Sequence, residues 1–236
     1  MPDRDSSVFS RRALLTGCAA ASANVALGGP RNPPAHARRK FELQRFIEDC
    51  RKAAAGADAQ AAIQELLARE IADSHSVLAT LGAPAKGGLN TLYRSPGLTI
   101  LNIVWSPLMQ LLPHEHRMWG LVGIYSGRED NIFWRRAGGR LTAVGAQAFS
   151  AGVAMPLPAD VIHSVSNPIE KLTAAIHIYG GDFFNVHRSE WDPETLTERD
   201  WNIREAVRNF QESNARFFGD ANKSCTPGKP ANPGQS

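Results

Sequence analysis

The first third of the chain carries its hydrophobic residues at helical spacing. Between Arg39 and Asp73 they recur largely at intervals of three and four, which places them on one face of a helix. Gly56-Ala57-Asp58 interrupts this pattern, and an aspartate such as Asp58 is a common first cap of a helix. We therefore predict two helices in this region, packed against a sheet.

After Gly82 the hydrophobic runs become short, and turn residues (Gly, Pro, Ser and Asn) separate one run from the next. Several short strands at such spacing predict an antiparallel sandwich or barrel rather than βαβ units. A helical pattern resumes after Asp192-Pro193. The predicted strands are Thr99–Trp105, Trp119–Tyr125, Asn131–Arg135, Val153–Leu157, Ile162–Val165 and Thr173–Tyr179.

These patterns divide the chain into five ranges. An N-terminal segment (1–37) precedes a helical region (38–82), and the β region follows (83–192). A C-terminal helix (193–220) then leads into a tail (221–236) that is rich in Pro, Gly, Asn and Lys. Such a composition cannot bury enough apolar surface to fold, so the tail is predicted to be disordered.

The N-terminal segment has the features of an export signal. Ser10-Arg11-Arg12 begins a twin-arginine pattern, small apolar residues follow, and Ala35-His36-Ala37 offers a small-x-small cleavage site. The segment therefore resembles a Tat signal and predicts a periplasmic protein. Cys18 lies in a lipobox-like sequence, but the apolar stretch before it is shorter than the roughly 7–15 residues usual there. Export without a lipid anchor is the favoured interpretation.

Composition and charge narrow the classes of partner. The net charge of +3 is small, and no basic run is interleaved with aromatic residues, so nucleic acid is not an implied partner. No other apolar run approaches the roughly 20 residues of a membrane span. The cysteines suggest no disulfide framework, and a buried, free Cys50 is favoured over a Cys50–Cys225 pair.

Two histidines form the first candidate site. His114 and His116 flank Glu115, and residues two apart in a strand point to the same face of a sheet. Two converging neutral imidazoles suit zinc, copper, iron or nickel. His163, on a later predicted strand, is the candidate third ligand, and coincidence of three unrelated histidines is the alternative.

The two histidine regions together resemble the two-part signature of the cupins. In the first part, Gly120 stands where a glutamate ligand is usual, and in the second, Asp160 stands where a glycine is usual. The resemblance implies a double-stranded β-helix, that is, a mainly β cupin or jelly-roll barrel with N-terminal helices and a C-terminal helix. It also implies a metal site with three histidine ligands. The matching residues are His114, His116, Gly127, Gly152, Pro158, His163 and Asn167.

Within the cupins the sequence is similar to thiol dioxygenases of the cysteine dioxygenase type. His177 and Tyr179 match their Ser-x-His-x-Tyr strand, whereas Ala175 replaces the serine. The resemblance implies Fe(II), with a small thiol and O2 as partners and a sulfinate as the product. It assigns catalytic support to Tyr179 and His177 and carboxylate binding to Arg94. The cysteine that crosslinks to tyrosine in some members would fall near Gly120, so no crosslink is expected.

The ligand types agree with iron but leave other divalent metals open. Three neutral imidazoles leave the full 2+ charge of the metal, which favours an anionic ligand such as a thiolate. The commoner oxygenase triad of two histidines and one carboxylate would need an acid where His116 stands. A 2-oxoglutarate-type oxygenase is therefore disfavoured.

The alternative function is a metal-binding cupin without oxygen chemistry, such as a sensor, an isomerase or a binding protein. A dioxygenase needs His177, Tyr179 and Arg94 in the cavity, whereas a binding module does not. His177 and Tyr179 face either the barrel interior or solvent, and Arg94 binds either a carboxylate or a surface acid. Residues 128–130 (Arg-Glu-Asp) are predicted to form a solvated turn.

Overall fold

The computed structural model describes residues 40–138 and 140–219. Three helices precede the strands in this part of the chain, and one follows them. The predicted signal segment (1–37) and the predicted disordered tail (221–236) lie outside the described residues. The helices are α1 Leu43–Ala54, α2 Ala59–Ile71, α3 Ser74–Leu81 and α4 Ile203–Phe218.

The strands form two antiparallel sheets. One sheet has the order β1-β2-β9-β4-β7, and the other has the order β11-β10-β3-β8-β5-β6. The strands are β1 Gly88–Ser95, β2 Leu98–Trp105, β3 Gln110–Glu115, β4 Gly120–Ser126, β5 Arg128–Ala137, β6 Arg140–Ser150, β7 Ala154–Leu157, β8 Ile162–Ser166, β9 Thr173–Tyr179, β10 Ser189–Trp191 and β11 Glu198–Asp200. The predicted double-stranded β-helix, with N-terminal helices and a C-terminal helix, is confirmed.

Several elements were not predicted from the sequence. β10 and β11 have three residues each, too short for a periodic pattern. β6 is an edge strand whose residues are almost all exposed, so it lacks the alternation of a half-buried strand. α3 is a short helix capped by Asp73, whose Oδ1 accepts a hydrogen bond from Ser76 N.

The N-terminal helices cover the outer face of the five-stranded sheet. Ile63, Leu67 and Ile71 lie one helical turn apart on α2 and are fully buried. They join an apolar core with Ile176 and Ile178 of β9. Burying a side chain of this size contributes roughly 1.5–3 kcal/mol, so this layer is a main source of stability.

The inner face of the same sheet looks towards the other sheet. Side chains of a strand alternate between the two faces of the sheet. Ile176 and Ile178 of β9 point outward, so His177 and Tyr179 point inward. The inner core contains Leu101, Ile103 and Trp105 of β2. The barrel interior therefore combines apolar walls with imidazole and phenol groups.

Two further properties bear on the sequence predictions. Cys50 is buried in α1 and is free, as expected. Within residues 40–138 and 140–219, no helix has the length and apolar character that crossing a membrane requires.

Candidate metal centre

Three buried histidines converge inside the barrel. His114 lies on β3, His163 lies opposite it on β8, and His116 follows directly after β3. His116 Nε2 is 3.1 Å from His114 Nε2 and 3.4 Å from His163 Nε2. Nitrogens bound to one ion at about 2.0–2.1 Å stand about 2.9–3.4 Å apart, so the observed spacing fits a shared metal. The structure thus brings the three predicted ligands together.

The orientation of two rings is fixed from behind. His114 Nδ1 lies 3.0 Å from Leu112 O, and His163 Nδ1 lies 2.7 Å from Asn131 Oδ1. Both partners are acceptors, so each Nδ1 carries the proton and each Nε2 keeps its lone pair for a metal. His116 Nδ1 is buried and has no hydrogen-bond partner among the described residues.

Burial keeps these rings neutral. Loss of hydration lowers the pKa of His114 to about 4, with a smaller contribution from the positive charge of Arg188. The pKa values of His116 and His163 are also well below their usual range, mainly because of burial and then because of the neighbouring imidazoles. Neutral imidazole is the form that binds metals, so the pocket is suited to a cation.

A cavity of about 30 Å³ adjoins the triad, little more than the space of a water molecule. Helix α4 covers it, and Phe210 of this helix stacks on Trp105 with ring centroids 5.4 Å apart. The lining outside the triad is mostly apolar or aromatic. It consists of Leu89, Ile103, Trp105, Leu111, Val165, His177, Tyr179, Phe183, Trp201, Ile203, Ala206 and Phe210.

His177 and Tyr179 both lie in this cavity. The ring of Tyr179 packs on His116 with centroids 4.9 Å apart, and its hydroxyl lies 3.3 Å from His177 Nδ1. Burial lowers the pKa of His177 to about 3 and raises the pKa of Tyr179 above its usual range. Both side chains are therefore neutral in the metal-free protein at neutral pH.

Position 120 lies directly against the tyrosine. Gly120 pairs with Tyr179 across β4 and β9, and a Cβ atom at Gly120 would stand 3.3 Å from the ring. The absence of a side chain here leaves neither a fourth ligand nor a thiol beside Tyr179. The ring instead lies flush against the backbone of β4.

Arg94 does not reach the cavity. Its Nε and Nη2 bind the two carboxylate oxygens of Asp182 at 2.8 and 2.9 Å, and its side chain is 42% exposed. The guanidinium also lies over Phe184, 4.9 Å from the ring centre. Arg94 therefore binds a surface acid, which was the alternative to binding a substrate carboxylate. Its location gives no support to the carboxylate-binding role.

A different arginine lies at the site. Arg188 is only 2% exposed, and its guanidinium carbon is 4.2 Å from the ring centre of Phe183 and 4.7 Å from that of Trp201. It donates one short hydrogen bond, from Nη1 to Phe183 O. Its Nε and Nη2 are buried without a partner in the described part of the chain.

Arg188 remains a cation despite its burial. Loss of hydration lowers its pKa to about 10, which still leaves it charged at neutral pH. Its charge in turn lowers the pKa of His114 and of His116. Sequence reasoning missed this residue, although its nearness to Phe183 in the sequence was a visible signal of a stacked guanidinium.

Glu129 and Asn131 are also buried, which corrects the prediction of a solvated turn at 128–130. Glu129 Oε2 accepts a hydrogen bond from Trp105 Nε1 at 2.9 Å, and Oε1 accepts one from Asn131 Nδ2 at 3.0 Å. Loss of hydration raises the pKa of Glu129 to about 7. Its neighbours Arg128 and Asp130 form an ion pair at the surface.

No family model matches the sequence. Solved structures of similar fold include an RmlC-like cupin from Methanocaldococcus jannaschii (12% identity, 44% of this chain, 87% of that chain, TM-score 0.37). A cupin superfamily protein from Desulfitobacterium hafniense is 16% identical over 44% of this chain and 88% of that chain, with a TM-score of 0.35. An oxalate decarboxylase variant from Bacillus subtilis is 18% identical over 42% of this chain and 26% of that chain, with a TM-score of 0.33. These low values assign no activity, metal or substrate to this chain.

Proposed function

We propose that the protein is a non-haem Fe(II) thiol dioxygenase. Its substrate is a small thiol that also bears a carboxylate, of the cysteine or 3-mercaptopropionate type, and its product is the sulfinate. The observation that carries the proposal is a three-histidine cluster next to a buried arginine with two unpaired N–H groups. The guanidinium of Arg188 stacks on Phe183 and Trp201, two of the residues that line the cavity beside the histidines.

The buried charges favour a dianionic ligand. A divalent metal held by three neutral imidazoles keeps both of its positive charges, and Arg188 adds a third. Glu129 in its ionised form supplies one negative charge inside the barrel, so two positive charges then remain to be balanced. A thiolate joined to a carboxylate carries those two charges, and uncompensated charge in such an interior is costly.

Each polar group then has a role. Arg188 holds the carboxylate of the substrate through Nε and Nη2, the edge of the guanidinium that forms a bidentate pair. The apolar lining excludes water and strengthens these electrostatic contacts. Tyr179, supported by His177, lies against His116 and orients the substrate beside the metal.

Iron, if bound, would supply redox activity and vacant coordination positions for O2 chemistry, whereas the sulfur is the group that is oxidised. The overall reaction adds both atoms of O2 to the sulfur, so a thiol and O2 give a sulfinic acid without another reductant. The chain's own contribution is to position the sulfur, to hold the carboxylate and to keep the site dry.

The test is oxygen consumption by the purified protein after anaerobic loading with Fe(II). Cysteine and 3-mercaptopropionate are compared with cysteamine, a thiol that lacks a carboxylate. We expect O2 uptake and sulfinate with at least one carboxylate-bearing thiol, and far slower uptake with cysteamine. No uptake with any thiol, at one bound iron per chain, would overturn the proposal in favour of a metal-binding cupin without oxygen chemistry.

Two arginines provide matched variants for the carboxylate contact. Arg188→Met should lower kcat/KM for the carboxylate thiol by at least about 100-fold, since it removes a buried charged partner. Arg94→Met removes an exposed pair with Asp182 and should leave kcat/KM near the wild-type value. Equal losses in both variants would contradict the assignment of the carboxylate to Arg188.

We also propose export to the periplasm by the Tat route, because of the twin arginines Arg11 and Arg12. Fractionation of cells that produce the full chain should find the mature protein in the periplasm. A variant with both arginines changed to lysine should remain in the cytoplasm. Recovery of the wild type in the membrane fraction would instead favour lipid anchoring at Cys18.

A further inference from the structure

We propose that Glu129 is a positioning residue that sets the direction of hydrogen bonding through His177 to Tyr179. In this arrangement the Tyr179 hydroxyl donates its proton to His177 and presents its oxygen lone pairs to the cavity. The consequence for the substrate rests on the proposed function, whereas the hydrogen-bond direction does not. Six buried side chains form the network that sets this direction: His163, Asn131, Glu129, Trp105, His177 and Tyr179.

The first step starts at a metal ligand. His163 can bind a metal through Nε2 only if its proton is on Nδ1, which then donates to Asn131 Oδ1 at 2.7 Å. The amide nitrogen of Asn131 must therefore face the other way. It lies 3.0 Å from Glu129 Oε1, which accepts its proton.

The second step concerns the other carboxylate oxygen. The indole nitrogen of Trp105 is only a donor, and it lies 2.9 Å from Glu129 Oε2. Both oxygens of Glu129 therefore accept hydrogen bonds from donors that cannot reverse. An ionised carboxylate satisfies this arrangement, and an amide at the same place cannot.

The third step fixes the tautomer of His177. Its Nε2 lies 3.8 Å from Glu129 Oε2 and has no hydrogen-bond partner within the described residues. A neutral ring carries one proton, and an N–H towards a buried carboxylate is favoured over a lone pair towards it. The proton of His177 is therefore on Nε2, and Nδ1 is left as an acceptor.

The last step follows at the tyrosine. Tyr179 Oη lies 3.3 Å from His177 Nδ1, so the hydroxyl donates to that nitrogen. Its oxygen can then accept a hydrogen bond from a donor in the cavity, such as an ammonium group. Ala175 offers no hydroxyl to His177 on β9, so the carboxylate from the opposite sheet fulfils that supporting role.

The test measures the tautomer of His177 directly. Nitrogen NMR of the ¹⁵N-histidine-labelled, zinc-loaded protein at pH 8 distinguishes Nε2–H from Nδ1–H rings without any turnover. His177→Asn, which loses one ring signal, assigns the resonance. We expect the Nε2–H form in the wild type, and finding the Nδ1–H form would overturn the inference whether or not the protein oxidises thiols.

Two variants separate direction from packing. Glu129→Gln places an amide between donors, so its NH2 group should drive His177 towards the Nδ1–H form. Trp105→Phe removes one donor but keeps the carboxylate, so the Nε2–H form should persist. An unchanged tautomer in folded Glu129→Gln would overturn the inference, and if that variant does not fold, the wild-type and Trp105→Phe spectra decide it. Loss of thiol oxidation in every protein, with the expected tautomers present, would contradict the proposed function alone.

Discussion

The two faces of the five-stranded sheet are both buried, but they bury different kinds of side chain. The outer face packs Ile176 and Ile178 against Ile63, Leu67 and Ile71 in an apolar core beneath the helices. The inner face of the same strand carries the polar pair His177 and Tyr179. Strand alternation thus places a stability layer and a chemical layer within one residue of each other.

The difference is clearest in the buried atoms that lack a partner. In the part of the chain that the structure describes, these atoms cluster on the inner side, and none belongs to the outer core. Buried polar groups normally form hydrogen bonds, because a buried donor or acceptor without a partner costs roughly 1–3 kcal/mol. Vacant donors beside three histidines are therefore what a binding site for a charged ligand requires. They include His116 Nδ1, His177 Nε2, Arg188 Nε, Arg188 Nη2 and Trp201 Nε1.

The largest expected effect is on the inner side. His163→Ala removes one of three ligands and leaves a two-histidine site, so bound iron should fall from about one per chain to nearly none. The measurement is metal content after anaerobic loading and desalting. His187→Ala is the control, because the side chain of His187 is 84% exposed. Retained iron in the His163 variant would show that the ligand set is wrong.

The outer side should respond in stability and not in metal binding. Leu67→Ala leaves a cavity in a fully buried layer and should lower the free energy of unfolding by about 2–5 kcal/mol. Urea unfolding measures this change, and Val144→Ala, at a half-exposed site on β6, should change little. Metal content should stay at the wild-type value, and a loss of metal would mean that the two faces are not independent.

Replacing the buried Arg188 should stabilise the metal-free protein, whereas the substitution in the outer core should destabilise it. Arg188→Met replaces a poorly paired buried cation with an apolar side chain of similar length, so the metal-free protein should gain about 1–3 kcal/mol. Urea unfolding without metal or thiol is the measurement. A loss of stability instead would mean that the guanidinium is already satisfied by its stacking and by its bond to Phe183 O.

The smallest effects should distinguish the two faces at two glycines of β4. A Cβ at Gly123 would come within 2.6 Å of Leu67 on the outer side, whereas one at Gly120 would meet the Tyr179 ring at 3.3 Å. Gly123→Ala should therefore cost about 1 kcal/mol through overpacking. Gly120→Ala should change stability less but lower kcat/KM a few-fold. A larger loss of stability in Gly120→Ala than in Gly123→Ala would contradict the assignment of Gly123 to the outer face and Gly120 to the inner face.

The sequence predicted those parts of the site that lie on regular strands. The spacing of His114 and His116 reports a shared face because strand geometry repeats every two residues. His163 was predicted from the cupin resemblance, and His177 and Tyr179 were predicted from the resemblance to thiol dioxygenases together with strand alternation. The fold class could be predicted for the same reason, since six of its strands have a readable hydrophobic pattern.

The residues that the sequence did not predict lie where the two-residue repeat of a strand gives no information. Glu129 begins a strand within the polar run Arg-Glu-Asp-Asn, and a polar run looks solvated unless its long-range partner, Trp105, is known. Arg188 follows an irregular stretch after Gly180-Gly181, so no periodicity gives its direction. The pairing of Arg94 with Asp182 could not be predicted, because the sequence does not show that Asp182 lies within reach.

Helix α4, which covers the cavity, follows every strand in the part of the chain that the structure describes. Ile203, Ala206 and Phe210 of α4 line the cavity, and Asn214 ties this helix to the start of β1 through Gly87. On the ribosome, all three ligand histidines emerge before α4 does. The newly made barrel is therefore open to ions until α4 has emerged, and the docking of this helix converts an accessible cluster into an enclosed one.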